Sequence, residues 1–277
     1  MHNVTIQNIT IGQGQPLALI AGPCVLESRD IVFHIAERVC EITGELGMPY
    51  IFKGSFDKAN RTAITAFRGP GVDEGLQLLA DVRREFGVPV CTDFHEPEQA
   101  RVLAEVVDLL QVPAFLCRQT DMLLAAAETG KATSVKKGQF LAPWDMKNVV
   151  EKYTAGGNHS LLLTERGASF GYNNLIVDPR SFAVMRDFGY PVIFDATHSA
   201  QLPGGTGTAT GGQREFIPAL VRAAVAVGVD ALFMEVHPDP EQGKSDATTM
   251  WPLERLREVL ESAQRIDAVG GRRGNGL

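Results

Sequence analysis

Cys24, His198, Glu235 and Asp246 can each offer a deprotonated donor atom to a divalent cation. Thiolate, imidazole and carboxylate together suit zinc, iron or manganese, and residue types alone do not choose among them. The four lie far apart in the chain and form no local motif such as H-E-x-x-H, so only a fold that gathers distant segments could make a site of them. A second group is cationic: Lys53, Lys58, Arg61, Lys136 and Arg166. The run Asp57-Lys58-Ala59-Asn60-Arg61-Thr62 places an ammonium, an amide and a guanidinium within one loop. A guanidinium grips a phosphate with two parallel bonds, and an ammonium acts as a point charge. Such a set suits one polyanion or two phosphorylated molecules. The competing reading is a set of ion pairs with Asp57, Asp93 and Glu165.

The elements that must position these residues follow from hydrophobic patterning. Short apolar runs at Leu17–Ala21, Tyr50–Phe52, Val88–Thr92, Leu109–Val112, Thr133–Val135, Ser160–Leu163, Val192–Phe194 and Ala231–Met234 read as strands buried on both faces. Between them lie amphipathic stretches such as Arg29–Leu46, Gly71–Phe86, Thr120–Thr129, Glu215–Val227 and Leu253–Ile266. This alternation predicts parallel strands with crossover helices, and the count of strands matches a closed (β/α)8 TIM barrel. A doubly wound open sheet is the alternative, but Ala21-Gly22-Pro23-Cys24 is not the Gly-rich turn that fold would place after its first strand. In a closed barrel the strand ends meet on one rim. Cys24, Lys53, Asp93, Gln111, Lys136, Lys137, Arg166, Asp195, His198, Glu235 and His237 all fall at or after strand ends, and Asp246 falls in the loop after the last one.

Residues 1–14 read as a short N-terminal hairpin turning at Gln7-Asn8 and plugging the barrel bottom. The segment 270–277 reads as a disordered tail, and the remainder as a single barrel domain. The Gly-rich stretch from Leu202 to Gln213 matches neither G-x-G-x-x-G nor the P-loop pattern and reads as a lid over the mouth or a plain flexible connection.

Composition narrows the function classes. With 277 residues and 44% hydrophobic content, the chain can bury a large core. A net charge of −7 argues against nucleic-acid binding, which is driven by cationic surface. No run of about 18 uncharged apolar residues predicts a membrane span. The N-terminus lacks a signal-peptide pattern, so a cytoplasmic location is expected. Cys24, Cys40, Cys91 and Cys117 are scattered and predict no disulfide framework.

Several longer motifs point further. The chain resembles the 3-deoxy-D-manno-octulosonate 8-phosphate synthases from Leu17 to about Ile266. The resemblance rests on the segments Gly22–Ser28, Phe52–Arg61, Thr92–Pro97, Gln111–Asp121, Arg166–Tyr172 and Glu235–Pro240. It implies a (β/α)8 barrel, usually a homotetramer, and a transferase reaction. Phosphoenolpyruvate condenses with D-arabinose 5-phosphate and water to give the eight-carbon sugar acid phosphate, a step in lipopolysaccharide biosynthesis. It further implies that Lys53, Lys58, Gln111, Lys136 and Arg166 hold phosphoenolpyruvate. Asn60, Arg61 and Thr62 would hold the sugar phosphate, with Arg118 and Gln119 reaching in from a neighbouring subunit. Lys53, Lys58, Asp93 and His198 would form the catalytic set. Cys24 stands where the metal-independent branch has asparagine, which implies a divalent metal on Cys24, His198, Glu235 and Asp246. The sister synthases, which use erythrose 4-phosphate, have a Lys-Pro-Arg-Thr loop where this chain has Lys58-Ala59-Asn60-Arg61, and Asn60 implies the five-carbon sugar phosphate. That sister reaction is the nearest alternative, and a non-catalytic sugar-phosphate-binding barrel is the other. Thr62 replaces the serine expected after Lys-Ala-Asn-Arg and keeps its hydroxyl.

Overall fold

The computed structural model describes residues 2–204 and 211–270. Eight parallel strands form the centre: β1 (Ala18–Gly22), β2 (Tyr50–Lys53), β3 (Val90–Asp93), β4 (Leu109–Val112), β5 (Ala132–Lys136), β6 (Leu161–Glu165), β7 (Val192–Asp195) and β8 (Ala231–His237). Each pairs with its neighbours in chain order. Pairing of β8 with β1, from Ala231↔Ala18 to Glu235↔Gly22, and of β7 with β8, closes the barrel. The helices α1 (Arg29–Leu46), α2 (Val72–Phe86), α3 (Pro97–Ala104), α4 (Thr120–Glu128), α5 (Met146–Ala155), α6 (Arg180–Arg186), α7 (Ile217–Val227) and α8 (Leu256–Val269) alternate with the strands. The expected (β/α)8 architecture is the one found. Of the predicted tail, 271–277 lies outside the described residues, as does half of the predicted lid, 205–210.

Local chemistry sets the element ends. Ser28 caps α1 by accepting from the Ile31 amide, and Gly47 ends it in a left-handed conformation at φ 61°. Pro97 starts α3, where a missing N–H costs nothing. Gln99 Oε1 accepts from the His95 amide at 2.8 Å and from the Glu96 amide at 3.4 Å, which fixes the loop leading out of β3.

Side chains on a strand alternate between faces. One face of the strands packs against the helices through Leu19, Phe52, Leu110, Val135, Leu163 and Phe194. The other points into the barrel, where Ala18, Ile20, Ile51, Cys91, Leu109, Ala132, Leu162, Ile193, Ala231 and Phe233 form a separate cluster. Two residues above these inward positions, the same parity yields Lys53, Asp93, Gln111, Asp195 and Glu235. Lys136 lies four above Ala132. The polar groups thus share the inward face at the C-terminal end of the barrel. Most of them lie within the last turn of the pleat rather than beyond it, because β8 in particular runs on to His237.

The other end is closed by a hairpin of Val4–Ile6 and Ile9–Ile11, paired as Val4↔Ile11 and Ile6↔Ile9. Val4, Ile6, Ile9 and Ile11 join the inward cluster, and all are buried. Gln7, at φ 52°, makes the turn and donates from Nε2 to Asp108 Oδ1 at 2.7 Å. The expected plug is therefore present. Ile11→Ala should destabilise the protein by about 2–5 kcal/mol, since it empties a fully buried site. Urea denaturation measures that loss. Turnover at saturating substrate should stay unchanged, because the hairpin lies opposite the polar rim.

Candidate active site

The C-terminal rim opens into a cavity of about 850 Å³. Its walls include Lys53 from β2, Asp93 from β3, Gln111 from β4, Lys136 from β5 and Glu235 from β8. Arg166 and His198 come from the positions just after β6 and β7, and Lys58, Asn60, Arg61 and Thr62 from the loop between β2 and α2. Distant positions become neighbours through barrel closure, as the strand-end pattern predicts.

The cations divide by how they are held. Lys53 is 2% exposed, donates to Ser55 Oγ at 2.6 Å and lies 3.2 Å from Asp93 Oδ1. Burial opposes a charge on Asp93, yet Lys53, His95 and Lys58 hold its carboxyl well below the usual range. Lys136 donates to Asp195 Oδ2 at 2.6 Å and lies over the Phe233 ring at 3.7 Å. Burial lowers its pKa, with Asp195 working against that shift. Burial also opposes charge on Lys58. Cys24, Glu235, Asp93 and Asp246 outweigh it and hold Lys58 well above its ordinary value, so it stays a cation. Arg166 differs from all of these. It is 4% exposed, donates from Nη2 to the neutral Gln201 Oε1 at 2.7 Å, and has Nη1 buried without a hydrogen-bond partner. A buried guanidinium arm without an acceptor is costly and points to an anion.

Cys24, Glu235 and Asp246 place one donor atom each within 4.8 Å of one another. His198 Nε2 lies 3.5 Å from Glu235 Oε2 and 3.6 Å from Asp246 Oδ2. Its other nitrogen, Nδ1, sits 2.8 Å from Asp195 Oδ2, so the Asp195 carboxylate fixes the ring and leaves Nε2 facing the other donors. Both oxygens of Glu235, which is 1% exposed, are buried without a hydrogen bond. A carboxylate tolerates that environment when it binds a cation. Burial, then the charge of Glu235, push the Cys24 thiol well above its ordinary pKa. A divalent cation would reverse that and release the proton. The residues present therefore fit a transition-metal ion.

Backbone geometry aims these groups. Gly22 ends β1 against Lys53, where a Cβ would stand 2.0 Å from the Lys53 carbonyl oxygen. No larger residue could bring Cys24 past β2 on this path. Asp246 adopts φ 46°, a left-handed conformation that aspartate reaches more readily than most residues. Arg61 crosses to the same loop, donating from Nη1 to Ser245 Oγ at 2.7 Å and from Nη2 to the Lys244 carbonyl at 3.0 Å.

Some expected residues stand elsewhere. Arg118 and Gln119 are exposed and do not line this cavity. Lys137 is buried and turned away, 3.4 Å from Glu165 Oε1, and Asp57 pairs with Arg68, so neither acid is ion-paired with the five rim cations, whereas Asp93 is, through Lys53. His237 packs inside with Nε2 3.7 Å from Glu27 Oε1. Sequence spacing gives no role to Ser55, His95 or Gln201. Yet Ser55 and His95 both bond Asp93, and Gln201 holds Arg166. The faint signal for Ser55 was its place two residues after Lys53 on the continuing chain.

Comparison with known proteins gives a consistent result. The chain matches the DAHP synthetase I family over residues 1–269. It is 59% identical over 266 residues to "2-dehydro-3-deoxyphosphooctonate aldolase" of Trichlorobacter lovleyi, covering 96% of this chain and 98% of that protein. The protein of the same name from a Geobacter species is 59% identical over 268 residues, covering 97% and 98%. That from a Cyanothece species is 61% identical over 259 residues, covering 94% and 95%.

Proposed function

Because this chain belongs to the DAHP synthetase I family, we propose that it condenses phosphoenolpyruvate with D-arabinose 5-phosphate and water. The products are 3-deoxy-D-manno-octulosonate 8-phosphate and phosphate. The observation that carries this reading is the near-full-length identity to proteins named for an eight-carbon 2-oxo-3-deoxy acid phosphate. Three of those carbons match the pyruvyl unit, and five match a pentose phosphate. The cavity chemistry agrees. Two anionic substrates repel each other, and a rim holding Lys53, Lys58, Arg61, Lys136 and Arg166 offsets that repulsion.

In the reaction the methylene carbon of phosphoenolpyruvate bonds to the aldehyde carbon of the sugar. Water adds to the enol carbon, and phosphate leaves by carbon–oxygen cleavage. Lys53, Lys136 and Arg166, deep in the cavity with Gln111, hold the phosphoenolpyruvate anion. The unpartnered Nη1 of Arg166 supplies a donor already free of competing bonds. Lys58, held protonated, contributes charge rather than accepting a proton. Asn60, Arg61 and Thr62, nearer the mouth, hold the sugar phosphate. Asp93, ionised and bonded to Ser55 and His95, keeps Lys53 in place. A divalent metal on Cys24, His198, Glu235 and Asp246 would supply Lewis acidity toward the aldehyde oxygen or a water.

Assembly into a homotetramer fits the exposed side chains of the rim. Phe115, Phe140, Trp144, Phe170 and Tyr172 are 54–98% exposed, on the successive loops after β4, β5 and β6. Such a patch favours burial against another copy. Arg118 and Gln119 follow Phe115 closely and would then face a neighbour's cavity. No described helix is long and apolar enough to cross a membrane. The product assignment predicts that, with phosphoenolpyruvate, arabinose 5-phosphate is consumed with a much higher kcat/KM than erythrose 4-phosphate. Phosphate release measures both. Equal or better use of the four-carbon sugar would overturn the assignment in favour of the sister reaction, and binding of both substrates without turnover would favour a non-catalytic barrel.

A further inference from the structure

The loop that carries Asp246 is held from two sides by residues outside the donor set. On one side, the Lys244 amide donates to Glu27 Oε1 at 2.8 Å, and the Glu27 side chain is itself 5% exposed against His237. On the other side stands Arg61, bonded to Ser245 Oγ and to the Lys244 carbonyl. Ser245 is 3% exposed and adjoins Asp246 in the chain. Asp246 has left-handed backbone geometry, which persists only where the surroundings impose it. Its own carbonyl accepts from the Thr249 and Met250 amides at 2.9 and 3.0 Å, which fixes the C-terminal side of the loop. Among the described residues no backbone group outside the strands and helices bonds the Ser245 backbone, and there Arg61 supplies the hold.

A guanidinium carries five N–H donors in a rigid plane. Two of them go to Ser245 and Lys244, and three remain for a ligand in the cavity that Arg61 lines. We propose that Arg61 and Ser245 form a brace coupling the two ligand sites. An anion bound on the remaining Arg61 donors fixes the guanidinium, which fixes Ser245, and Asp246 is thereby set for the metal. Ser245 and Glu27 are positioning residues in this scheme. By thermodynamic reciprocity, the metal strengthens sugar-phosphate binding by the same factor. The proposal rests on the assignment of Arg61 to the sugar phosphate.

The test is the affinity of the purified protein for Co²⁺, measured by chelator competition with and without D-arabinose 5-phosphate. Affinity should rise about fivefold or more with the sugar phosphate, at the lower end of typical couplings. Ser245→Ala removes the hydrogen bond and no charge. It should bind both ligands and lose the enhancement. Arg61→Lys keeps the charge without the two-pronged reach, and it too should lose the enhancement. If Ser245→Ala keeps the full enhancement, attraction between metal and phosphate acts through space and the brace is wrong. If the sugar phosphate binds the unaltered protein with no change in Co²⁺ affinity, the brace is also wrong. If calorimetry shows no binding of the sugar phosphate at all, the substrate assignment falls and takes the brace with it.

Discussion

Removal of divalent metal with a strong chelator is expected to lower turnover by on the order of 10²–10³, the scale for loss of a major electrostatic stabiliser. Adding back zinc, iron or manganese should restore it. The expectation rests on the donor geometry rather than on the residue types. Cys24, Glu235 and Asp246 converge within 4.8 Å, and Glu235 is buried with neither oxygen hydrogen-bonded. Without a cation, burial and neighbouring charge keep Cys24 a thiol. Cys24→Ala should therefore lower metal content and activity together. Far-ultraviolet circular dichroism should stay constant, since the hydrophobic core on both faces of the barrel does not involve the ion. Undiminished turnover by demonstrably metal-free protein would end the case for a catalytic metal here.

Arg166→Met is expected to weaken phosphoenolpyruvate binding by roughly tenfold to over a hundredfold, the worth of about 1.5–3 kcal/mol for a charge-assisted bond. The same change should leave thermal stability equal or higher. Arg166 is buried with one neutral partner and one arm without a partner, and burial lowers its pKa. Replacing an incompletely paired buried charge by an apolar side chain of similar length is often neutral or stabilising by about 1–4 kcal/mol. Lys136 gives the opposite contrast. Its partner Asp195 is fully buried at 2.6 Å, so Lys136→Met removes the ammonium from a buried carboxylate and should cost about 3–5 kcal/mol. Calorimetry with phosphoenolpyruvate and thermal unfolding of both variants decide the matter. A fall in stability for Arg166→Met, or unchanged affinity, would remove Arg166 from the anion site.

The barrel was legible because its strands are buried on both faces and read as continuous apolar runs. Strand ends were less so. The continuous apolar run stops at Met234, yet β8 continues to His237, because Glu235 still pairs with Gly22, and Val236 and His237 pair with Trp251 and Pro252. The donor set and the cationic set could be named from residue type and strand-end position. The partners that hold them could not. His198 and Asp195 are close in sequence, but only the fold shows Asp195 shared with Lys136. Arg166 and Gln201, or Arg61 and Ser245, meet across loops whose paths no periodicity encodes. Lys136 and Lys137 illustrate the limit most directly. Adjacent lysines after one strand differ by a single step of the pleat, which sends one into the cavity and the other to Glu165.

The hairpin at the barrel's closed end bears on the order in which the protein assembles. Its apolar side chains belong to one buried cluster with residues contributed by every strand, from Ala18 in β1 to Ala231 in β8. No part of the chain shorter than the whole barrel offers that surface. The hairpin precedes all the barrel strands in the sequence, so during vectorial synthesis it is made well before its seat exists. Val4, Ile6, Ile9 and Ile11 must stay exposed or unstructured until β8 has emerged and the ring has closed. Contacts between segments so far apart slow folding, because the intervening chain must be ordered before they contribute. Docking of the hairpin is thus a late event that registers a completed ring, and an unclosed barrel reveals itself by those exposed isoleucines.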